Sequence, residues 1–284
     1  MNTALNSPKS IKPKSIMIEP PSRFWNIQLD ELWAYRELLF FLVWRDIKVR
    51  YKQTILGAAW AIIQPVTTML IFSLIFGKFA KIETGDIPYP IFSYAALLPW
   101  QLFAKAMTES SMSLVSNGQF ITKIYFPRLY IPTASVLSGV VDFFLSLTVL
   151  IGMMFYYQVP VSWKLLLLPA LIVITILVSL SVSLWLSAIN VKYRDVRFLL
   201  PFLVQVWMYA TPIAYPISIV PESWRFVYSL NPMVGLIESY RWIILGSEIS
   251  SWGSVLISAF LFIFILAGGL WYFQKTEMTF ADNI

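Results

Sequence analysis

Six long apolar segments constrain the fold of this chain more than any other feature. Each is an uncharged run, or a run that only Lys105, Glu109 or Asp142 interrupts. A helix needs about 20 apolar residues to cross the ~30 Å hydrocarbon core of a bilayer. The sequence therefore predicts an all-α membrane protein with six transmembrane helices. The predicted spans cover residues 55–77, 91–115, 132–157, 165–190, 198–217 and 251–273.

The composition supports a membrane protein and excludes several kinds of chemistry. Of the 284 residues 58% are hydrophobic and only 13% are charged, whereas soluble domains are about 25% charged. The chain has no cysteine and no histidine, which excludes disulfides, thiol nucleophiles, imidazole bases and Cys/His metal sites. The net charge of +6 comes from basic residues that cluster beside apolar runs. This placement indicates lipid headgroups rather than nucleic acid as the partner.

The basic residues also predict an orientation. With the N-terminus inside, fifteen of the 21 Lys and Arg residues fall in inner segments and five in outer ones. This bias predicts a multi-pass protein of the cytoplasmic (inner) membrane with both termini cytoplasmic. We expect a flexible basic tail at residues 1–28, the membrane domain at residues 53–275 and a cytoplasmic C-terminus at residues 276–284.

Two segments are expected to form helices on the inner side. Residues 29–52 carry apolar side chains at helical spacing with charges among them, which predicts an amphipathic helix in the membrane interface. An ordinary cytoplasmic helix is the alternative. Between spans 2 and 3, a short helix is predicted over Gln119–Phe126, ended by Pro127. Its apolar residues favour a docking surface for a partner, the alternative being a loop that dips into lipid headgroups.

The outer segment between spans 5 and 6 is too apolar for a solvated loop. Two short helical stretches separated by Asn231 and Pro232 are predicted to enter the outer leaflet and return. Broken backbone at that depth is tolerated where it lines a cavity or packs in protein. This favours a re-entrant extracytoplasmic gate, whose candidate residues are Tyr215, Pro216, Trp224, Asn231 and Pro232.

Two helix faces mix aromatic rings with amides or hydroxyls, a combination that suits ligands with both apolar and hydroxylated faces. Lipid-facing or packing roles explain any single residue equally well. The candidate path residues are Trp60, Gln64, Thr68, Phe72 and Phe76 in span 1 and Phe198, Phe202, Gln205 and Tyr209 in span 5.

Several charged residues lie close to the predicted inner ends of the spans. Lys105 and Glu109 are four residues apart and are expected to neutralise each other on one helix face. Asp142 has no evident partner in the sequence, and its role stays open. The candidate inner-entrance residues are Arg45, Lys48, Arg50, Lys105 and Glu109.

Five stretches together resemble the permease subunit of ABC-2-type exporters, most closely the O-antigen and polysaccharide exporter permeases. They are ELLFFLVWRDIKVRYKQTILGAAWAIIQP, LLPWQLF, ITKIYFPR, NVKYRDVRFLLPFLVQVWMYATPIAYP and LNPM. The resemblance covers nearly the whole chain from about Leu29. It implies a complex of two permease copies and two separate ATPase chains, with a channel for a lipid-linked polysaccharide between the permeases. The resemblance places spans 1 and 5 at this channel, where their aromatic and polar faces would bind a passing sugar polymer weakly and repeatedly.

The resemblance also implies where the energy comes from. The sequence contains no GxxxxGK[ST] phosphate-binding loop, so ATP and Mg²⁺ are expected on the partner ATPase and no cofactor on this chain. The short inner helix looks like the family's coupling helix. The candidate coupling residues are Gln119, Phe120, Lys123, Ile124, Tyr125, Pro127 and Arg128.

Three other functions are weighed against this one. A teichoic-acid exporter would share the architecture. A gradient-driven transporter would need an ion relay, for which Asp142 alone is little support. A membrane glycosyltransferase would need paired carboxylates or a metal cluster beside a span, and the sequence offers neither.

Overall fold

The computed structural model describes residues 29–52, 57–249 and 251–280, and these residues form helices without a strand. The predicted tail at residues 1–28 and residues 281–284 of the predicted C-terminus lie outside the described part. The all-α class is confirmed. The α-helices are α1 Leu29–Ala34, α2 Arg36–Tyr51, α3 Ala59–Phe72, α4 Tyr89–Ser116, α5 Gly118–Lys123, α6 Tyr130–Tyr156, α7 Leu168–Lys192, α8 Val196–Tyr209, α9 Glu222–Ser229, α10 Pro232–Leu245 and α11 Trp252–Glu277.

Four described helical segments are long and apolar enough to cross a membrane. They are Ala59–Phe79, Tyr130–Tyr156, Trp163–Lys192 and Trp252–Glu277. The first continues α3 through a π-helical stretch, Ser73–Phe79, and the third begins with a 3₁₀ turn, Trp163–Leu167. Gly77 lies in the π-helical stretch against the Tyr89 ring, where a Cβ atom would meet the ring at 3.0 Å.

Helix α4 forms the centre of the molecule. It packs against α3, α6, α7, α8 and α10, and every residue from 91 to 100 is buried. Its 28 residues give a length of about 42 Å, enough to cross a bilayer. It is not among the four segments above, because Lys105, Glu109 and Ser110 interrupt its apolar residues; these three side chains bond to neighbouring helices.

Helix α8 is shorter than the predicted fifth span. The prediction ran to residue 217, but the helix ends at Tyr209, so its 14 residues measure about 21 Å. The amide of Asn231 donates to the Ala210 carbonyl at 3.2 Å and to the Thr211 hydroxyl at 2.9 Å. Pro212 has no N–H to continue the helix. The chain therefore turns back over α4 at this point.

The predicted interface helix is broken in two. A turn at Tyr35 separates α1 from α2, and the Tyr130 hydroxyl at the start of α6 donates to the Leu32 carbonyl. One side of α2 packs on α6 through Leu42, while Phe40 and Trp44 are exposed on the other. Helix α2 thus has apolar residues on two sides. One side packs on α6, and the other is exposed.

Candidate functional site

An ion cluster joins α2, α4 and α6 at the end of α2. The Arg50 guanidinium pairs with Glu109 and, at 3.2 Å, with Asp142. Lys105 also pairs with Asp142 and lies 3.7 Å from Glu109. The expected pair between Lys105 and Glu109 is present, and Asp142 gains the partners that its sequence position does not reveal. Two cations and two carboxylates balance each other in this cluster.

Hydrogen bonds complete the cluster. The Tyr51 hydroxyl donates to Asp142, and Arg50 donates to the carbonyl and the hydroxyl of Ser138, each at 3.1 Å. Burial, together with the Asp142 contact, raises the pKa of Tyr51 to about 12, so it remains a hydrogen-bond donor at neutral pH. The C-terminal turn of α2 is thereby fixed to α6.

A cavity of about 200 Å³ lies beside the ion cluster. Its walls come from α2, α3, α4 and α6. Four predicted path or entrance residues therefore share one site: Trp60, Gln64, Arg50 and Lys105. The lining residues are Arg50, Tyr51, Gly57, Trp60, Ala61, Gln64, Leu98, Gln101, Leu102, Lys105, Gly139, Asp142, Phe143 and Ser146. Sequence reasoning did not single out Gln101, because nothing in the local pattern distinguishes it from other polar residues in the span.

The predicted path residues of α3 do not all share one surface. Trp60 and Gln64 are exposed, and Thr68 is half-buried with its hydroxyl bonded to the Gln64 carbonyl at 2.9 Å. Phe72 is buried in the core and packs edge-to-face on Phe76 at 5.5 Å. An α-helix has about 3.6 residues per turn, so residues spaced by four rotate gradually around its axis. This rotation turns the rings of Phe72 and Phe76 towards the protein.

The predicted path residues of α8 do share one surface. Phe198, Phe202, Gln205 and Tyr209 are all exposed, and Arg197 stacks on Phe198 at 4.5 Å. Helices α3 and α8 both pack on α4 without a substantial contact between them. The two faces are therefore separate within one chain.

The short inner segment is helical over Gly118–Lys123 only, three residues less at its end than predicted. Ile124 is extended because the chain leaves the helix to bury Phe126 before Pro127. The residues of this segment that stay exposed are Gln119, Phe120, Thr122, Lys123, Ile124 and Tyr125. Most predicted coupling residues thus form a free surface.

The other two predicted coupling residues are half-buried at the base of this segment. Pro127 precedes the first turn of α6 and accepts a hydrogen bond from the Tyr130 N–H at 3.0 Å. The Arg128 side chain donates to the Glu277 carbonyl at the end of α11. These contacts hold the segment to the body of the protein.

A hydrophobic cluster lies beneath the segment. Ile121 and Phe126 pack with residues of α4, α6, α7 and α11, and Phe273 meets Phe280 edge-to-face at 5.2 Å. The exposed surface above therefore rests on a core drawn from five helices.

The predicted inner-entrance residues Arg45 and Lys48 do not reach the ion cluster. Arg45 pairs with the neighbouring Asp46 at 2.8 Å and lies over the Phe120 ring at 5.6 Å. Lys48 lies over Trp44 at 5.2 Å. The Arg45 contact links α2 to the exposed inner segment.

Four of the predicted gate residues pack around the connection between α8 and α10. Asn231 caps α10 by accepting from the Met233 N–H, accepts from the Trp207 indole at 3.0 Å and is followed by the buried Pro232. Tyr215 bonds to the Tyr209 carbonyl at 2.7 Å, and the half-buried Pro216 follows it. Trp224, in contrast, is exposed on α9.

Arg241 is a buried residue that sequence reasoning counted only as an outer charge. Its guanidinium stacks on Phe92 at 3.6 Å and donates to the carbonyl of Ile213 at 2.9 Å. The Tyr89 hydroxyl donates to the next carbonyl, that of Ala214. An arginine three residues after Glu238 in a mostly apolar helix was the available signal, since such charges need internal partners. It fixes the turn that follows α8.

Comparisons with known proteins place this arrangement in a family. The chain is 32% identical to the O-antigen export system permease protein RfbA of Myxococcus xanthus, over 89% of this chain and 98% of that protein. It is 28% identical to RfbA of Klebsiella pneumoniae, over 87% and 94% of the two chains. It is 24% identical to the polysialic acid transport protein KpsM of Escherichia coli, over 82% and 91%. The family described as ABC-2 type transporter matches residues 37–245, and the chain belongs to this family.

Proposed function

We propose that the chain is the transmembrane permease of an ATP-driven exporter that moves a lipid-linked, O-antigen-like polysaccharide across the cytoplasmic membrane. The carrying observation is the match along 98% of a relative named as an O-antigen export permease. The exposed aromatic and amide groups of α3 and α8 are of the kind that a passing glycan needs.

The energy comes from a separate ATPase chain, as it does for this class of transport subunit. Two such chains would bind ATP and Mg²⁺. They would dock on the exposed inner segment, whose solvent-exposed residues include Phe120, Ile124 and Tyr125. The contact of Arg45 with Phe120 would couple α2 to the same movement.

Six spans and two cytoplasmic termini complete the proposal. Four spans are identified by composition, and α4 supplies a fifth. The sixth consists of α8 together with the turn that follows it. The broken pair α9 and α10 would then lie in the outer leaflet as a gate. Support comes from the central, buried position of α4 and from the charge bias of the sequence.

The channel is proposed to lie between two copies of the chain. The exposed face of α8 carries three aromatic rings, Phe198, Phe202 and Tyr209. Its Gln205 adds a hydrogen-bonding group. A second copy facing this surface would enclose a lined conduit.

A teichoic-acid substrate is less well supported, since the relatives are named for O antigen and polysialic acid. A gradient-driven mechanism is also disfavoured, because Asp142 is held in ion pairs and does not stand alone as a relay.

The test is deletion of the gene in its host, followed by complementation. Surface polysaccharide is expected to disappear and to return with the intact chain, but not when the partner ATPase lacks its phosphate-binding lysine. Undiminished surface polysaccharide after deletion would refute the proposal. Export that persists with the inactive ATPase would favour the gradient-driven alternative.

A further inference from the structure

The cavity beside the ion cluster carries two amide groups that the protein itself does not use. Gln64 and Gln101 both line it, one exposed and one half-buried. Neither side-chain amide is hydrogen-bonded to another residue in the described part of the chain. Each offers two donors and one acceptor, so the cavity presents free groups of both kinds.

An aromatic face completes the wall. Trp60 lines the same cavity and leaves 55% of its surface exposed, so its ring is free to stack on a ligand. Ala61 and Gly139, two of the smallest residues, leave the space open. A flat indole beside free amides suits a molecule with apolar and hydroxylated faces.

The charges around the cavity argue against an anionic ligand. Arg50 and Lys105 are both paired with carboxylates, and Asp142 also accepts from Tyr51. A phosphate entering here would have to break these pairs and would lie beside the Asp142 carboxylate. A neutral ligand leaves the cluster intact.

The volume limits the ligand to a small ring. At about 200 Å³ the cavity is smaller than those that hold drug-sized molecules, which measure about 300–1,000 Å³. This space matches a single pyranose ring.

We propose that this cavity is a binding subsite for one neutral sugar residue of the exported polysaccharide. The ring stacks on Trp60, and its hydroxyls bond to Gln64 and Gln101. This inference rests on the proposed export function and adds that each protomer selects the polymer at a site of its own.

The absence of cysteine from the chain provides a direct test. In the purified permease–ATPase complex, Q101C places one thiol in the cavity in place of one proposed contact, and it leaves Trp60 and Gln64 to bind the sugar. Oligosaccharides released from the host's surface polymer, and a panel of neutral monosaccharides, are expected to slow its alkylation by a small thiol reagent severalfold. Inorganic pyrophosphate is expected to have no effect.

The matched control is T148C on α6. Thr148 is exposed and does not line the cavity, so sugars should leave its alkylation unchanged. Protection of both thiols, protection by pyrophosphate alone, or protection of neither would overturn the subsite.

A second pair of variants guards against misfolding. W60F keeps an aromatic face and is expected to retain sugar protection of Q101C, whereas W60A is expected to lose it while the complex still purifies intact. Equal protection in both variants would contradict stacking on Trp60. Loss of surface polymer on gene deletion without any sugar protection would refute the subsite alone, and an unchanged surface polymer would refute the proposed function.

Discussion

At the scale of single residues, Asp142 holds α2, α4 and α6 together through its ion pairs with Arg50 and Lys105. The pair of Lys105 and Glu109 follows from their spacing on one helix. Asp142 lies 37 residues from Lys105 and 92 from Arg50, and its partners are set by the packing of α2 and α4 on α6. No local pattern contains that information. The same holds for Arg241, whose partners come from α4 and from the turn after α8.

Replacing Asp142 should destabilise the protein. D142A leaves Arg50 and Lys105 with Glu109 as their one remaining carboxylate. Removing one partner of a buried ion pair costs about 3–5 kcal/mol, and the partial exposure of this cluster lowers the expected cost to about 1–3 kcal/mol. Thermal unfolding of the detergent-solubilised protein measures it.

The control for this prediction is D195A. Asp195 is exposed and forms no ion pair with any residue that the structure describes. Its replacement should leave the unfolding temperature unchanged. Equal stability of D142A and D195A would mean that the cluster contributes nothing to the fold.

At the scale of elements, hydropathy located the long helices but not every boundary. The uncharged run continues past α8 to residue 221, so charge gave no reason to end the span at Tyr209. The end depends on Asn231, which lies more than 20 residues downstream and bonds to the turn. In α3, the four-residue spacing predicted one mixed face, and packing turned Phe72 into the core.

Close packing of α11 on α7 should depend on Gly269. A Cβ atom there would lie 2.9 Å from the Ser181 carbonyl and 3.0 Å from the Trp185 ring. G269A is expected to lower the free energy of unfolding by about 1–3 kcal/mol, because the two helices must separate. G152A on α6 is the control, since nothing lies within 4 Å of its added methyl. A similar melting temperature for both variants would show that α11 shifts freely.

The exposed inner segment should transmit ATP hydrolysis. Y125A removes a ring that is 57% exposed, so the permease is expected to fold and purify normally. Transport and permease-stimulated ATPase activity in proteoliposomes should fall severalfold. Y156A, which removes an exposed ring at the other end of α6, should keep both activities. Normal transport by Y125A would rule out a direct coupling role for Tyr125.

At the scale of the whole molecule, the exposed faces of α3 and α8 should meet across two copies. In the cysteine-free chain, Q64C and Q205C are placed on separately tagged copies and treated with a short bifunctional maleimide. We expect a covalent dimer carrying both tags, because α3 and α8 do not pack on each other within one chain while Gln64 and Gln205 are exposed. If only uncrosslinked single chains were recovered, this would contradict a channel lined by these faces.

The cluster beneath the inner segment has a consequence for biosynthesis. Ile121 and Phe126 share their core with Phe273 and Phe280, which the ribosome adds long after them. The surface proposed for ATPase docking therefore lacks its support until the last helix of the chain is in place. If the ATPase docks there, we expect it to bind only after the membrane domain is complete, which would keep unfinished permeases out of the exporter.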